Sequence, residues 1–89
     1  MMTIDNLWVV RLKKVAGMPT FPYFKNLQAA KTYCNSVLSS YGKQKYLDGQ
    51  DIVHVVNNQI ISSVTMDVTG DEIYFSDVHI MHERKPYIE

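Results

Sequence analysis

The chain contains 89 residues, of which 46% are hydrophobic and 20% are charged, and its 9 basic residues balance its 9 acidic ones. A chain of this length supports one small core, and its composition is too apolar for a disordered protein. The neutral total excludes a uniformly basic nucleic-acid binder. We therefore predict a single α+β domain over residues 1–89.

The cysteine content and the N-terminal residues indicate the cellular compartment. Cys34 is the single cysteine, so no disulfide can form within the chain. Residues 1–6 lack the basic and apolar segments of a signal peptide, and no apolar run approaches the length of a membrane span. We predict a cytoplasmic protein that does not associate with membranes.

The N-terminal part of the chain predicts two strands. Apolar residues alternate from Trp8 to Leu12, which indicates a half-buried strand over residues 7–15. Residues 20–25 are rich in aromatic side chains, but Pro22 cannot donate to a ladder, so this segment is predicted as an edge strand or an extended connector. Its aromatic side chains either seal the edge of the core or project as binding anchors; they are Phe21, Tyr23 and Phe24.

One helix is predicted from Leu27 to Tyr41. Asn26 is a good N-cap, and Gly42 suits a left-handed stop. Cys34 falls on the apolar face, where a thiol without basic sequence neighbours behaves as a small hydrophobe. The apolar residues at helical spacing are Leu27, Ala30, Cys34, Val37, Leu38 and Tyr41.

The C-terminal half begins with a predicted β-hairpin. Residues 52–56 are a β-branched run, and residues 60–68 form the return strand. Asn57 and Asn58 lie between them, and asparagine tolerates the positive φ that tight hairpin turns need. The apolar residues predicted to share one face of the return strand are Ile60, Val64, Met66 and Val68.

A third strand of this meander is predicted over residues 73–81, after a turn at 69–72. Residues 82–89 are polar and include Pro86, so we expect a loosely held tail there. The fold class is therefore α+β, a two-layer sandwich with one helix on a mostly antiparallel sheet, in the order β-β-α-β-β-β.

One helix covers one face of such a sheet, yet several strands are apolar on both faces. Residues 52–56 and 73–81 both lack a clean polar side. We therefore expect a second copy, forming a dimer, or another protein to cover the helix-free face. The alternative is that loops and the C-terminal tail cover it.

Catalysis is the class that the sequence supports least. The chain has no glycine-rich phosphate loop and no HExxH or CxxC spacing. Asp77 and His79 share a strand face, which leaves a small hydrolase as a remote option. His54 is either a titratable interface residue or a hydrogen-bonded surface histidine. We predict no enzyme activity, no catalytic residues, no metal and no cofactor.

The charges are divided unequally along the chain. Seven basic residues and one acidic residue through residue 47 give +6, whereas two basic and eight acidic residues from Asp48 onward give −6. These charges either pair across the sheet or form separate surfaces. An acidic surface for a basic partner protein would comprise Asp67, Asp71, Glu72, Tyr74 and Asp77. A basic surface for nucleic acid or a nucleotide would comprise Arg11, Lys13, Lys14, Lys43 and Lys45.

The order of these elements resembles that of small accessory proteins encoded by bacteriophages. The resemblance rests on Leu7-Trp8-Val9-Val10 as a first strand, on residues 26–31 opening one helix, and on the hairpin that follows. It implies a protein of the host cytoplasm that binds a host protein and inhibits or regulates it. The resemblance assigns no role to an individual residue.

Overall fold

The structure is a computed structural model that describes residues 6–12, 21–39 and 46–88. Its strands form one antiparallel sheet in the spatial order β2-β1-β3-β4-β5, and β6 also pairs with β4. The elements are β1 (Leu7–Arg11), β2 (Tyr23–Phe24), α1 (Leu27–Leu38), β3 (Asp51–Val56), β4 (Gln59–Thr69), β5 (Glu72–Phe75) and β6 (His79–Pro86).

The predicted fold class is wrong in its element order and in its simple two-layer form. Four strands follow the helix instead of three, because the chain interrupts its last strand between β5 and β6. At this interruption Ser76 donates its amide to the Thr65 carbonyl, and its hydroxyl oxygen accepts from the Thr65 amide. The sheet is also curled into a half-barrel, so it does not lie flat beneath the helix.

Residues 82–88 are held in place, whereas the sequence predicted a loose tail over residues 82–89. Residues 82–86 belong to β6, and the chain beyond them is fixed to the β3–β4 turn. Tyr87 donates its amide to the Asn58 carbonyl at 2.7 Å. The Asn58 side chain accepts from the Ile88 amide and donates to the Ile88 carbonyl, both at 2.9 Å. The sequence prediction missed the part of this strand at residues 82–86, because the side chains there are exposed and mostly charged or polar.

Local signals placed the helix start and the first hairpin correctly. The Asn26 side chain accepts from the Ala29 amide at 2.8 Å, as an N-cap should. Asn57 and Asn58 have φ values of 51° and 62° and form the turn between β3 and β4. The predicted helix end at Tyr41 and the stop at Gly42 lie outside the described residues.

A β-bulge in β4 divides its apolar residues between the two faces. Val55 pairs with Ile60 and His54 with Ser62, so Ile61 is an extra residue on β4. This extra residue reverses the alternation, because side chains in a strand change face at every position. Ile60 therefore packs on the opposite face from Val64, although the sequence predicted one shared face.

Each face of the sheet carries its own buried apolar cluster. On the helix-covered face, α1 and Leu47 pack over the sheet, with Val10, Ile52 and Val64 fully buried. The cluster on the helix-free face comprises Val9, Val53, Val55 and Ile60, with Leu7, Met81 and Tyr87 packed against it.

Residues near the C-terminus therefore help to bury the helix-free face within a single chain. Val53 and Val55 there have no exposed surface, and Met81 and Tyr87 pack over them. We expected a dimer because the apolar residues of this face need to be buried. Val53 and Val55 are already buried within one chain, so their burial does not require a dimer. Dimerisation stays a prediction, which sedimentation at micromolar concentration tests.

Candidate functional site

The hairpin formed by β4 and β5 presents an acidic surface on the helix-free face. Met66 and Phe75 pair with each other and pack toward the helix, so their neighbours Asp67 and Tyr74 point the opposite way. Glu72 lies two positions before Tyr74 and shares its face. We call Asp67, Glu72 and Tyr74 the acidic hairpin face.

Hydrogen bonding fixes the tyrosine of this surface. The Tyr74 hydroxyl donates to Oε2 of Glu72 at 2.8 Å, and the side chain remains 54% exposed. This hydrogen bond to Glu72 and the negative charge of the carboxylate raise the pKa of Tyr74. The phenol is therefore held in place while its ring is accessible to a partner.

The other two residues of the predicted acidic surface lie apart from this face. Asp71 is exposed in the turn between β4 and β5, next to Glu72. Asp77 is exposed beyond the other end of β5, in the connection to β6. The structure thus brings together three of the five predicted residues and places the others at the two ends of β5.

The sequence leaves this part of the sheet without basic side chains. Between residues 46 and 81 the chain has six acidic residues and no lysine or arginine. Lys31 of the helix reaches the hairpin, but its ammonium lies 5.2 Å from the centre of the Phe75 ring, on the helix-covered side. The acidic hairpin face is therefore a region of negative charge.

The predicted basic surface is represented among the described residues by Arg11. Its guanidinium donates to both carboxylate oxygens of Asp51, from Nε at 2.7 Å and from Nη2 at 2.6 Å. The hydrogen bonds that Arg11 donates to Asp51 raise the pKa of Arg11 above its ordinary value. This ion pair joins the basic half of the chain to the acidic half across β1 and β3. Lys13, Lys14, Lys43 and Lys45 lie outside the described residues.

His54 has a packing role on the helix-covered side of the sheet. Its ring stacks on Trp8 with centroids 4.2 Å apart and planes within 4°. Its Nε2 donates to Oδ1 of Asn6 at 2.8 Å, and Asn6 has a φ of 55°. Burial lowers the pKa of His54, so the neutral imidazole is favoured in the folded chain.

Cys34 and the exposed histidines show no arrangement for chemistry. Cys34 is fully buried on the face of α1 that packs on the sheet. Burial raises the pKa of its thiol to about 12, so the thiol stays protonated. His79 and His82 are both exposed on β6. Within residues 6–12, 21–39 and 46–88, no group of three histidine, cysteine or acidic side chains could hold a metal ion.

A groove on the helix-free face was not predicted from the sequence. It has a volume of about 480 Å³ and lies between β2, β1 and the end of the chain. We call it the aromatic groove, and its lining residues are Val9, Arg11, Phe21, Tyr23, Tyr87 and Ile88.

The aromatic segment before the helix divides between the core and this groove. Phe24 packs on the helix side, 5.2 Å from the Tyr33 ring, as the core-sealing interpretation predicts. Phe21 and Tyr23 are each 53% exposed and line the groove instead. Their spacing of two positions in an extended segment is the signal that could have separated them from Phe24.

Comparison with protein-family models, with curated proteins and with solved structures finds no match for this chain. In the part of the chain that the structure describes, α1 is too short and too polar to span a bilayer, and no other helix could do so.

Proposed function

We propose that the protein is a non-catalytic binding protein whose acidic hairpin face docks on a basic surface of a larger protein. Binding there blocks or regulates the partner's own use of that basic surface. In the setting that the resemblance to bacteriophage accessory proteins implies, the partner is a host protein in the cytoplasm. A basic surface on such a partner fits a protein that itself binds nucleic acid.

The observation that carries this proposal is the geometry of Tyr74. Its pairing with Asp67 and its hydrogen bond to Glu72 place an accessible aromatic ring beside two acidic residues. Tyrosine is enriched among residues that dominate binding energy, and the hydrogen bond to Glu72 favours one position of this ring. The carboxylates supply attraction to a basic partner and accelerate association at low salt.

A strand pair suits this role because its backbone positions the side chains. Asp67, Glu72 and Tyr74 lie on paired strands whose other face packs against the helix. Little ordering is therefore needed when a partner binds, which lowers the entropic cost of association.

The burial of one reactive side chain and the packing of another support the non-catalytic part of this proposal. Cys34 is buried and remains protonated, and His54 is held between Trp8 and Asn6. Neither side chain belongs to the acidic hairpin face, so the proposal assigns them structural roles.

The test is partner capture followed by quantitative binding with matched charge reversals. Immobilised wild-type protein, Glu72→Lys and Glu83→Lys are used in parallel, and any captured protein is purified for calorimetry at two salt concentrations. Glu83 is also exposed, but it lies on β6, so it is the matched control. We expect Glu72→Lys to weaken binding at least tenfold and Glu83→Lys to leave it within about twofold.

The salt dependence of binding is the second test of the acidic hairpin face. Binding of the wild type should weaken as salt rises, because exposed charges are screened beyond about 10 Å at 0.1 M. A partner that binds Glu72→Lys and the wild type equally well would contradict the acidic hairpin face as the contact.

A further inference from the structure

We propose that the aromatic groove binds the base of a nucleotide, either free or within a single strand of nucleic acid. Phe21 and Tyr23 lie two positions apart and line one side of the groove, and Tyr87 lines it from the C-terminal segment. Each of the first two side chains is half exposed, so a flat ring can stack on them without displacing the core. The groove volume of about 480 Å³ lies within the range of small-molecule sites.

Arg11 gives the groove a preference for a ring whose edge accepts hydrogen bonds. A guanidinium has five N–H donors, and Asp51 takes one from Nε and one from Nη2. The remaining donors belong to a side chain that is 41% exposed and lines the groove beside Val9. The edges of nucleobases present carbonyl oxygens and ring nitrogens that a planar guanidinium matches.

A second cation lies on the same face, where it can meet a phosphate. Lys85 pairs with Ile60 of the helix-free cluster and precedes Tyr87 by two positions, so all three share that face. Lys85 is exposed. Stacking aromatic rings and positive charge on one surface are the usual combination in sites for single-stranded nucleic acid.

The charge of the groove differs from that of the acidic hairpin face. The carboxylate of Asp51 is compensated by Arg11, whereas Asp67 and Glu72 lie across β3 and β4 at the opposite end of the sheet. The described lining of the groove therefore carries no net negative charge, whereas the hairpin repels an anionic ligand. An apolar side chain of a peptide would also fill the groove, but it would offer no acceptor to the guanidinium of Arg11.

The test is a set of titrations followed by two-dimensional amide NMR on the full chain. The probes are uridine monophosphate, an oligothymidylate of about eight nucleotides, and indole, which is a flat ring with a donor and no comparable acceptor. We expect saturable shifts for uridine monophosphate or the oligonucleotide, centred on the amides of residues 9–11, 21, 23, 87 and 88. Indole should bind at least tenfold more weakly.

Two tyrosine variants provide a matched comparison. Tyr23→Ala removes a groove ring, and Tyr74→Ala removes a ring of nearly equal exposure outside the groove. We expect Tyr23→Ala to weaken nucleotide binding about tenfold and Tyr74→Ala to leave it unchanged. Arg11→Lys keeps a positive charge opposite Asp51 but loses the planar fork, so it should weaken nucleotide binding and spare indole.

The two probes distinguish a free nucleotide from a single strand of nucleic acid as the source of the base. Equal affinity for uridine monophosphate and the oligonucleotide indicates a free nucleotide, whereas tighter and strongly salt-dependent binding of the oligonucleotide indicates a single strand. Absence of saturable shifts with both nucleotide probes at millimolar concentration overturns the proposal. So does equal binding of indole, or an equal loss in Tyr74→Ala.

Discussion

The acidic hairpin face and the aromatic groove lie at opposite ends of the helix-free face, and they are assembled in different ways. The hairpin uses residues 67–74, which follow one another through a single turn. The groove combines three separate stretches, at residues 9–11, 21–23 and 87–88. The first site depends on local strand pairing, and the second depends on the whole sheet and on the fixed C-terminal segment.

This difference implies different responses to mutation. The side chains of the acidic hairpin face are exposed and contribute little to packing. The groove lies over the helix-free cluster, and Val9 belongs to both. Changes in that cluster should therefore reach the groove, whereas changes on the hairpin surface should leave the fold intact.

The largest expected effect is loss of stability when the helix-free cluster is truncated. Ile60→Ala removes a buried side chain that contacts this cluster, and we expect a loss of about 3 kcal/mol in the free energy of unfolding. Tyr74→Ala should cost no more than about 0.5 kcal/mol, because the ring is exposed. Urea denaturation of both variants measures this contrast, and similar losses would contradict it.

A smaller loss of stability is expected when the hydrogen bonds between residue 88 and the β3–β4 turn are removed. Asn58→Gly keeps a residue suited to positive φ but removes both side-chain hydrogen bonds to Ile88. We expect a loss of about 1 kcal/mol and faster amide exchange at residues 87–88, with no change at residues 72–75.

Asn57→Gly is the control for the turn itself. Asn57 also has positive φ, but its replacement leaves the hydrogen bonds of Asn58 to Ile88 in place. Hydrogen exchange followed by NMR distinguishes the two variants. Equal protection of Ile88 in both would show that these hydrogen bonds do not hold the groove wall.

The smallest expected effect concerns pH and His54. Burial lowers the pKa of His54 in the folded chain below its ordinary 6.5, so the unfolded chain binds more protons as the pH falls through this region. The contribution of His54 to stability should therefore be retained above about pH 6.5 and decline below it. Trp8 is the sole tryptophan and stacks on His54, so its fluorescence reports the local change.

His54→Gln should remove this part of the pH dependence, and His79→Gln should retain it. His79 is exposed on β6 and serves as the matched histidine control. Because His54 lies on the helix-covered side, its titration should leave nucleotide shifts in the groove unchanged. A stability decline that is identical in the wild type and in His54→Gln would assign it to other groups.

The acidic hairpin face was within reach of sequence analysis, and the groove was not. A turn at Gly70 with alternating residues on both sides predicts which hairpin side chains share a face, and Gly70 has a φ of 61°. The predicted surface also included Asp77, which the structure places in the connection between β5 and β6, because the sequence does not mark that interruption. The groove joins distant segments, and no local periodicity specifies which of them meet.

The sequence by itself determined the elements whose signals are local. The N-cap at Asn26, the positive-φ turn at Asn57 and Asn58, and the apolar stripe of the helix each depend on neighbouring residues. Tertiary structure decided the rest, because the bulge at Ile61, the Arg11–Asp51 pair and the path of residues 87–88 require strands distant in sequence to pair. Those pairings bury an apolar cluster on each face of the sheet within one chain, and they form the groove on the face that the helix leaves open.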